Sequence, residues 1–263
     1  MTYVKNLLSD PAFADWDQQH YFELNLQENQ SAYDIRMRLH ASSEGSTSES
    51  KDKYTVEEAV KHFKHIVMIG ELGSGKTTAL KRLTLSFAVQ FQENVKLARR
   101  IEPLPVFVWL PHFNTITGTV PYDRILGLLQ DAFQRYGTDL PRGRLEKLLQ
   151  TQPFVLLLDG LNELGDQNTA QLLDSIATFV RNYPEHAVVV TSRTYNFQFG
   201  HSPWPIFELQ ELTYPADIEQ YLHCYLSSAE DVRYLKQLLE KKSATTPDGG
   251  KSVAITHDLD GFS

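Results

Sequence analysis

Cysteine is almost missing. Cys224 is the sole one in 263 residues, which excludes an internal disulfide and a cysteine-built zinc site. Long apolar runs are missing as well. The most apolar stretches, Phe154 to Leu158 and Ala187 to Val190, fall far short of the ~18 consecutive apolar residues that a membrane helix needs, so they read as buried strands. No secretory leader is expected, because Asp10, Asp15 and Asp17 follow directly on the short opening segment Met1 to Leu8. Positive charge is in deficit. With 25 Lys and Arg against 33 Asp and Glu the net charge is −8, so non-specific binding to nucleic acid or to an anionic membrane is not expected. A reducing, cytoplasmic setting is the expectation. Core material is plentiful: 41% hydrophobic and 11% aromatic residues exclude a disordered or fibrous chain. At roughly 150 residues per domain, the length fits one large domain or a medium one with appendages.

Periodicity divides the chain. Phe22, Leu24 and Leu26 alternate with polar residues, as do Ile35, Met37 and Leu39, which predicts an amino-terminal hairpin with one buried face. Ala41 to Lys53 is almost wholly Ser, Thr, Gly, Glu, Asp and Lys and reads as a flexible linker. Thr55 and Glu58 have capping-box spacing and open a short helix through Lys64. Strands are then predicted at His65 to Ile69, Leu104 to Leu110, Phe154 to Leu158, Ala187 to Thr191 and Ile206 to Leu209. Helices are predicted at Lys76 to Phe91, Asp123 to Tyr136, Arg142 to Thr151 and Thr169 to Asn182, with two more within Pro215 to Lys242. Continuous Val, Ile and Leu runs alternating with amphipathic helices describe a parallel sheet covered on both faces. The expected division is residues 1–53 as hairpin and linker, 54–210 as the core, 211–242 as a partial helical subdomain, and 243–263 as a disordered tail.

Directly after the first core strand stands Gly70-Glu71-Leu72-Gly73-Ser74-Gly75-Lys76-Thr77-Thr78, a full match to G-x-x-x-x-G-K-[ST] between a strand and a helix. Its glycines let backbone N–H groups wrap a phosphate chain, and the next helix offers its positive end. Lys76 is placed to reach the β- and γ-phosphates, and the Thr77 hydroxyl to ligate Mg²⁺. Such a loop needs a carboxylate on a neighbouring strand. Phe154 to Asp159 supplies an apolar strand ending in an acid, followed by Gly160, Leu161, Asn162 and Glu163. Asp159 is the expected Mg²⁺ ligand, and Glu163 the group that orients or deprotonates the attacking water. Taken alone, two acids at a strand end would read as solvated caps; the loop upstream gives them their meaning.

The acid-bearing strand is third in chain order and a further strand follows it. P-loop ATPases with a catalytic glutamate insert such a strand between the loop strand and the acid strand, which implies the order 5-1-4-3-2. The inserted strand runs into Thr191, Ser192 and Arg193. Thr191 or Ser192 would contact water or phosphate, and Arg193 would either sense the γ-phosphate or pair with a neighbouring acid.

Together these residues resemble the NACHT family of STAND-type NTPases, within the AAA+-like group. Gly70 to Thr78 looks like its Walker A element, Phe154 to Leu164 like its Walker B with an Asp-Gly-hydrophobic-x-Glu ending, and Val188 to Arg193 like its sensor-1 strand. Leu104 to Leu110 looks like its second core strand, and the resemblance spans roughly residues 54 to 226. It implies a three-layer α/β/α P-loop sandwich around a mainly parallel five-stranded sheet. It also implies a switch run by ATP, ADP and Mg²⁺, a low-turnover ATPase that oligomerises through its core and works with a sensor and an effector protein. Bacterial relatives act in signalling and defence. Many relatives carry a second acid where Asn162 stands, and a proline where Leu72 stands. The family's winged-helix region and sensor repeats are not in these residues, so a minimal or truncated protein of bacterial type is expected. A nucleotide-binding regulatory module without turnover is the alternative.

Other features read more plainly. Lys96, Arg99 and Arg100 complement the dipole at a helix carboxyl end. Tyr195, Phe197, Phe199, Trp204 and Phe207 form an aromatic loop expected to pack over the sheet edge. The nine histidines show no metal-ligand spacing, and Cys224 reads as a small buried apolar residue.

Overall fold

In the computed structural model the described residues are 2–14, 25–28, 53–97, 102–116, 120–194, 204–210, 215, 218, 222–223, 226 and 228–244. Among them the apolar runs become one sheet. Its strands are β1 (Asn25–Glu28), β2 (Lys53–Thr55), β3 (His65–Gly70), β4 (Leu104–Trp109), β5 (Phe154–Asp159), β6 (Ala187–Arg193) and β7 (Ile206–Leu209), in the order β2-β1-β7-β3-β6-β5-β4. From β7 to β4 every pairing is parallel. Counted from β3 along the chain, those five strands stand in the order 5-1-4-3-2, as the sequence implies.

The helices are α1 (Thr2–Leu8), α2 (Pro11–Ala14), α3 (Val56–Phe63), α4 (Lys76–Lys96), α5 (Pro121–Arg135), α6 (Arg142–Thr151), α7 (Asp166–Asn182) and α8 (Ala229–Ala244). Several boundaries move. Pro121 starts α5 two residues before the expected Asp123, because a proline suits a first turn whose N–H groups have no helical partner. Strand β4 stops at Trp109, and Leu110–Thr115 forms a 3-10 turn around Pro111. Both β5 and β6 run further than their apolar cores, so Asp159, Ser192 and Arg193 are strand residues.

Alternation splits the core between the two faces of the sheet. On one face Leu156, Leu158, Val188 and Val190 meet Leu128, Phe133, Leu172 and Phe179 from α5 and α7. On the other, Val155, Leu157 and Val189 meet Leu80, Leu83 and Phe87 of α4 and Val60 of α3. The second face is the one to which Asp159, Thr191 and Arg193 belong by parity. Helix α3 is tied to α4 there, since the Glu57 carboxylate accepts hydrogen bonds from Ser86 (2.9 Å) and Gln90 (3.1 Å). The predicted capping box of Thr55 and Glu58 opens α3.

Of the expected amino-terminal hairpin, only the end of the first run is among the described residues. Leu26 lies on β1, which adds antiparallel to β7 and to β2, with Leu26 opposite Leu209 and Tyr54. Lys53, assigned by composition to the linker, is thus a strand residue. The physical reason is the otherwise open edge of β7, where Leu26 becomes fully buried. Phe22, Leu24, Ile35, Met37, Leu39 and residues 41–52 lie outside the described residues, as do Arg99, Arg100, Tyr195, Phe197, Phe199, Cys224 and residues 245–263, while residues 243 and 244, expected in the tail, close helix α8. Of the aromatic loop, Trp204 packs against His65 (5.5 Å between rings) and Phe207 is buried within β7.

Helices α1 and α2 have no counterpart in the sequence reading, being too short for a periodicity signal. Tyr3, Val4, Leu7 and Phe13 are nonetheless buried in the main core. Tyr3 packs on Phe133 (4.5 Å) and Tyr136 (5.4 Å), Phe13 packs edge-on against Phe107 of the edge strand β4 (5.6 Å), and Asn6 donates to Tyr136 O (2.8 Å). Replacing Leu7, which is 0% exposed, by Ala is expected to destabilise the fold by about 2–4 kcal/mol. Urea denaturation measures this; a loss below ~1 kcal/mol would show the segment to be peripheral.

His186 sets an acid limit on the fold. It is 2% exposed, accepts a hydrogen bond from Phe154 N–H at Nδ1 (3.1 Å), and is surrounded by Phe154, Phe179 and Tyr183. Burial pushes its pKa down from 6.5 to about 4, against the opposing pull of the Leu149 backbone and Glu185. The unfolded chain accepts a proton near 6.5 where the folded one resists it until about 4. Stability is therefore full above that window, falls as the pH drops through it, and levels off below. Denaturation midpoints across this range are expected to slope less in His186→Asn; an unchanged slope would remove His186 as the cause.

Candidate nucleotide-binding site

The loop between β3 and α4 turns at Gly73 and Gly75, whose φ angles of 79° and 91° are ones that side-chain-bearing residues rarely adopt. Gly75 is the N-cap of α4 and brings no side-chain oxygen to the first turn, which also holds no acid. The amino end of a 21-residue helix is thus left without a capping side chain. Glu71 and Leu72 form the outer part of the loop, with Leu72 75% exposed.

Lys76 folds back into this loop. Its ammonium donates to Gly70 O (2.8 Å), Glu71 O (2.7 Å) and Ser74 Oγ (3.2 Å). Burial pushes its pKa below the ordinary lysine value; Asp159 and Glu71 oppose that, and the charge of Arg193 adds to it. Thr78 continues the first turn of α4 and is half-buried.

Thr77 reaches across to β5. Its hydroxyl donates to Asp159 Oδ2 at 2.8 Å, joining residues 82 positions apart. The other carboxylate oxygen, Oδ1, accepts from the Thr191 hydroxyl at 2.6 Å. That hydroxyl in turn accepts from Gly160 N–H at 3.0 Å. Asp159 and Thr191 are 2% and 1% exposed, while Thr77 is half-buried.

Strand register places the rest. Gly70 pairs with Arg193 across β3 and β6, so the half-buried Arg193 is level with the first loop glycine. Ser192 does not join the cluster: alternation turns it to the α5 and α7 side, where it is buried and its hydroxyl donates at most weakly to Arg193 O (3.4 Å). Gly160, at φ 93°, turns β5 into the 3-10 segment Leu161–Glu163, which leaves Asn162 half-buried and Glu163 exposed. Trp109 was read from the sequence only as part of a strand. It pairs with Asp159 in register and is 37% exposed at the same end of the sheet. Its signal in the sequence was a large aromatic at the last position of a strand.

The donor chemistry fits magnesium and a phosphate chain. A carboxylate and a hydroxyl meeting at one point are the hard oxygen ligands that Mg²⁺ takes, and an uncapped helix start beside an ammonium suits phosphate. Among the described residues no group of three or more His, Cys, Asp and Glu could hold a metal, and no helix is long and apolar enough to cross a membrane.

Comparison with known proteins follows the same residues. No curated protein matches the chain. Among solved structures, AMPPCP-bound DnaA from Aquifex aeolicus matches with 15% identity and a TM-score of 0.37, over 74% of this chain and 59% of that one. The chain thus spans less than two thirds of that relative's length. The NACHT domain family matches residues 64–229, a segment that begins one residue before β3, holds the loop, Asp159 and Arg193, and ends at the start of α8. More than half of the chain is covered, and it is a member of the NACHT domain family of P-loop NTPases.

Proposed function

We propose that this NTPase module is an ATP-binding, slowly hydrolysing molecular switch that works in the cytoplasm in signalling or defence. The observation that carries the reading is the 2.8 Å bond between Thr77 and Asp159, which sets the loop helix against the acid strand. Loop residues Gly70 to Thr78 hold the phosphates of ATP or ADP, with Lys76 supplying charge. Thr77 and Asp159 are the residues that would hold Mg²⁺, whose chemistry when bound is to neutralise phosphate oxygens.

Phosphoryl transfer asks the protein for positioning and charge more than for covalent chemistry. Glu163 takes a proton from the water whose oxygen attacks the γ-phosphorus. As that bond forms, the bond from phosphorus to the bridging oxygen breaks, and ADP and phosphate result. Arg193, level with Gly70, stabilises negative charge on the transferred group. Oligomerisation through the core, a sensor and an effector belong to this reading as partners.

Asn162 favours a second reading. With an amide where many relatives carry an acid, the module would bind nucleotide as a regulatory element without turning it over. Both readings meet one experiment: purify the chain, identify co-purifying nucleotide by chromatography, and follow phosphate release from ATP with and without Mg²⁺. The switch reading expects bound adenine nucleotide and slow, Mg²⁺-dependent release. Binding with no release selects the second reading, and no binding of any nucleotide rejects both.

A further inference from the structure

We infer that Thr191 is a positioning residue that sets the Asp159 carboxylate for the metal and ties it to the turn carrying Glu163; this rests on the nucleotide-binding reading above. A threonine hydroxyl has one proton to donate. In Thr191 that proton is committed to Asp159 Oδ1 at 2.6 Å, while the hydroxyl oxygen accepts from Gly160 N–H at 3.0 Å. The side chain is 1% exposed. It therefore has no proton to offer a phosphate or a water while these bonds hold, which separates it from a sensing role.

The clamp is two-sided. Thr77 from α4 holds Asp159 Oδ2 at 2.8 Å and Thr191 from β6 holds Oδ1, so the plane of the carboxylate is fixed from two elements. The third arm reaches the turn. Gly160 lies at φ 93° and its carbonyl accepts from Glu163 N–H at 3.0 Å, so the residue anchored by Thr191 is also the pivot of the segment that presents Glu163. One hydroxyl thereby links the metal carboxylate to the water-activating carboxylate. Groups behind metal ligands typically change metal affinity by about 10–100-fold when removed, because they set ligand orientation.

The test compares nucleotide affinity in excess Mg²⁺ with affinity in EDTA, read by fluorescence titration of a labelled ADP on the full chain. Thr191→Val keeps the branched shape and removes the hydroxyl; Thr191→Ser keeps the hydroxyl. The gain in affinity that Mg²⁺ confers on wild type is expected to shrink about tenfold in Thr191→Val and to return within about twofold in Thr191→Ser, with EDTA affinity unchanged in both. An undiminished gain in Thr191→Val overturns the inference. So does an equal loss in EDTA, which would mean direct contact with phosphate, and so does failure of Thr191→Ser to restore the gain. If Thr191→Val does not fold by circular dichroism, Thr191→Ala carries the same expectations against Thr191→Ser. Wild type that binds no nucleotide in either buffer rejects the proposed function itself, and this inference with it.

Discussion

Lys76→Ala is expected to weaken ATP and ADP binding by about a hundredfold or more, the largest effect of any single change in the loop. Each charge-assisted hydrogen bond contributes roughly 1.5–3 kcal/mol, and a lysine in a phosphate loop makes more than one. The ammonium already spans Gly70 O, Glu71 O and Ser74 Oγ inside the loop, so it needs only to exchange carbonyl acceptors for phosphate oxygens. Its charge is held partly out of water, with Arg193 nearby, an arrangement that favours an anion arriving between them. Calorimetric titration of both nucleotides provides the measurement. The nucleotide-free variant should melt close to wild type, because the lost partners are loop carbonyls at a half-buried site. Affinity within about threefold of wild type would contradict the assignment of this loop.

The second large effect is on turnover alone. Glu163→Gln is expected to lower the rate of phosphate release by about 10²- to 10⁴-fold while ATP stays bound, since general-base catalysis contributes on that scale and the amide keeps the shape of the acid. The carboxylate is exposed at the end of the 3-10 turn anchored at Gly160, on the same end of the sheet as Lys76 and Asp159. Removing its basicity should therefore spare the loop contacts. Separating bound nucleotide by chromatography after incubation with ATP distinguishes the outcomes: ATP retained in the variant and ADP in wild type. A variant that releases phosphate at the wild-type rate would take Glu163 out of the chemistry. Equal and negligible turnover in both proteins would favour the non-hydrolysing reading.

The parallel core and the phosphate loop were legible before folding. Local reasons suffice for both: Val, Ile and Leu runs of strand length force burial on both faces, and glycine spacing before Lys76 and Thr77 encodes a loop that only bare backbone can form. The strand order was implied by the resemblance to P-loop ATPases with a catalytic glutamate, which insert a strand between the loop strand and the acid strand. The strand ends were less legible, because Asp159, Ser192 and Arg193 are polar residues continuing ladders whose apolar part had ended. Helices α1 and α2 were invisible because a helix of 7 residues and one of 4 carry too few turns for periodicity.

Thr191 and Ser192 mark the boundary between the two kinds of information. Adjacent in sequence and alike in chemistry, they stood as interchangeable candidates. Strand alternation separates them, putting Thr191 on the face of α4 with its hydroxyl on Asp159, and Ser192 on the opposite face. The sequence by itself determined that this chain carries a phosphate loop, an acid strand and a parallel sheet to hold them, since each is encoded within a dozen neighbouring residues. Only the tertiary structure decided which hydroxyls hold the carboxylate, that Trp109 stands beside it, and that residues 2–14 complete the core, because each of those depends on contacts between segments far apart in the chain.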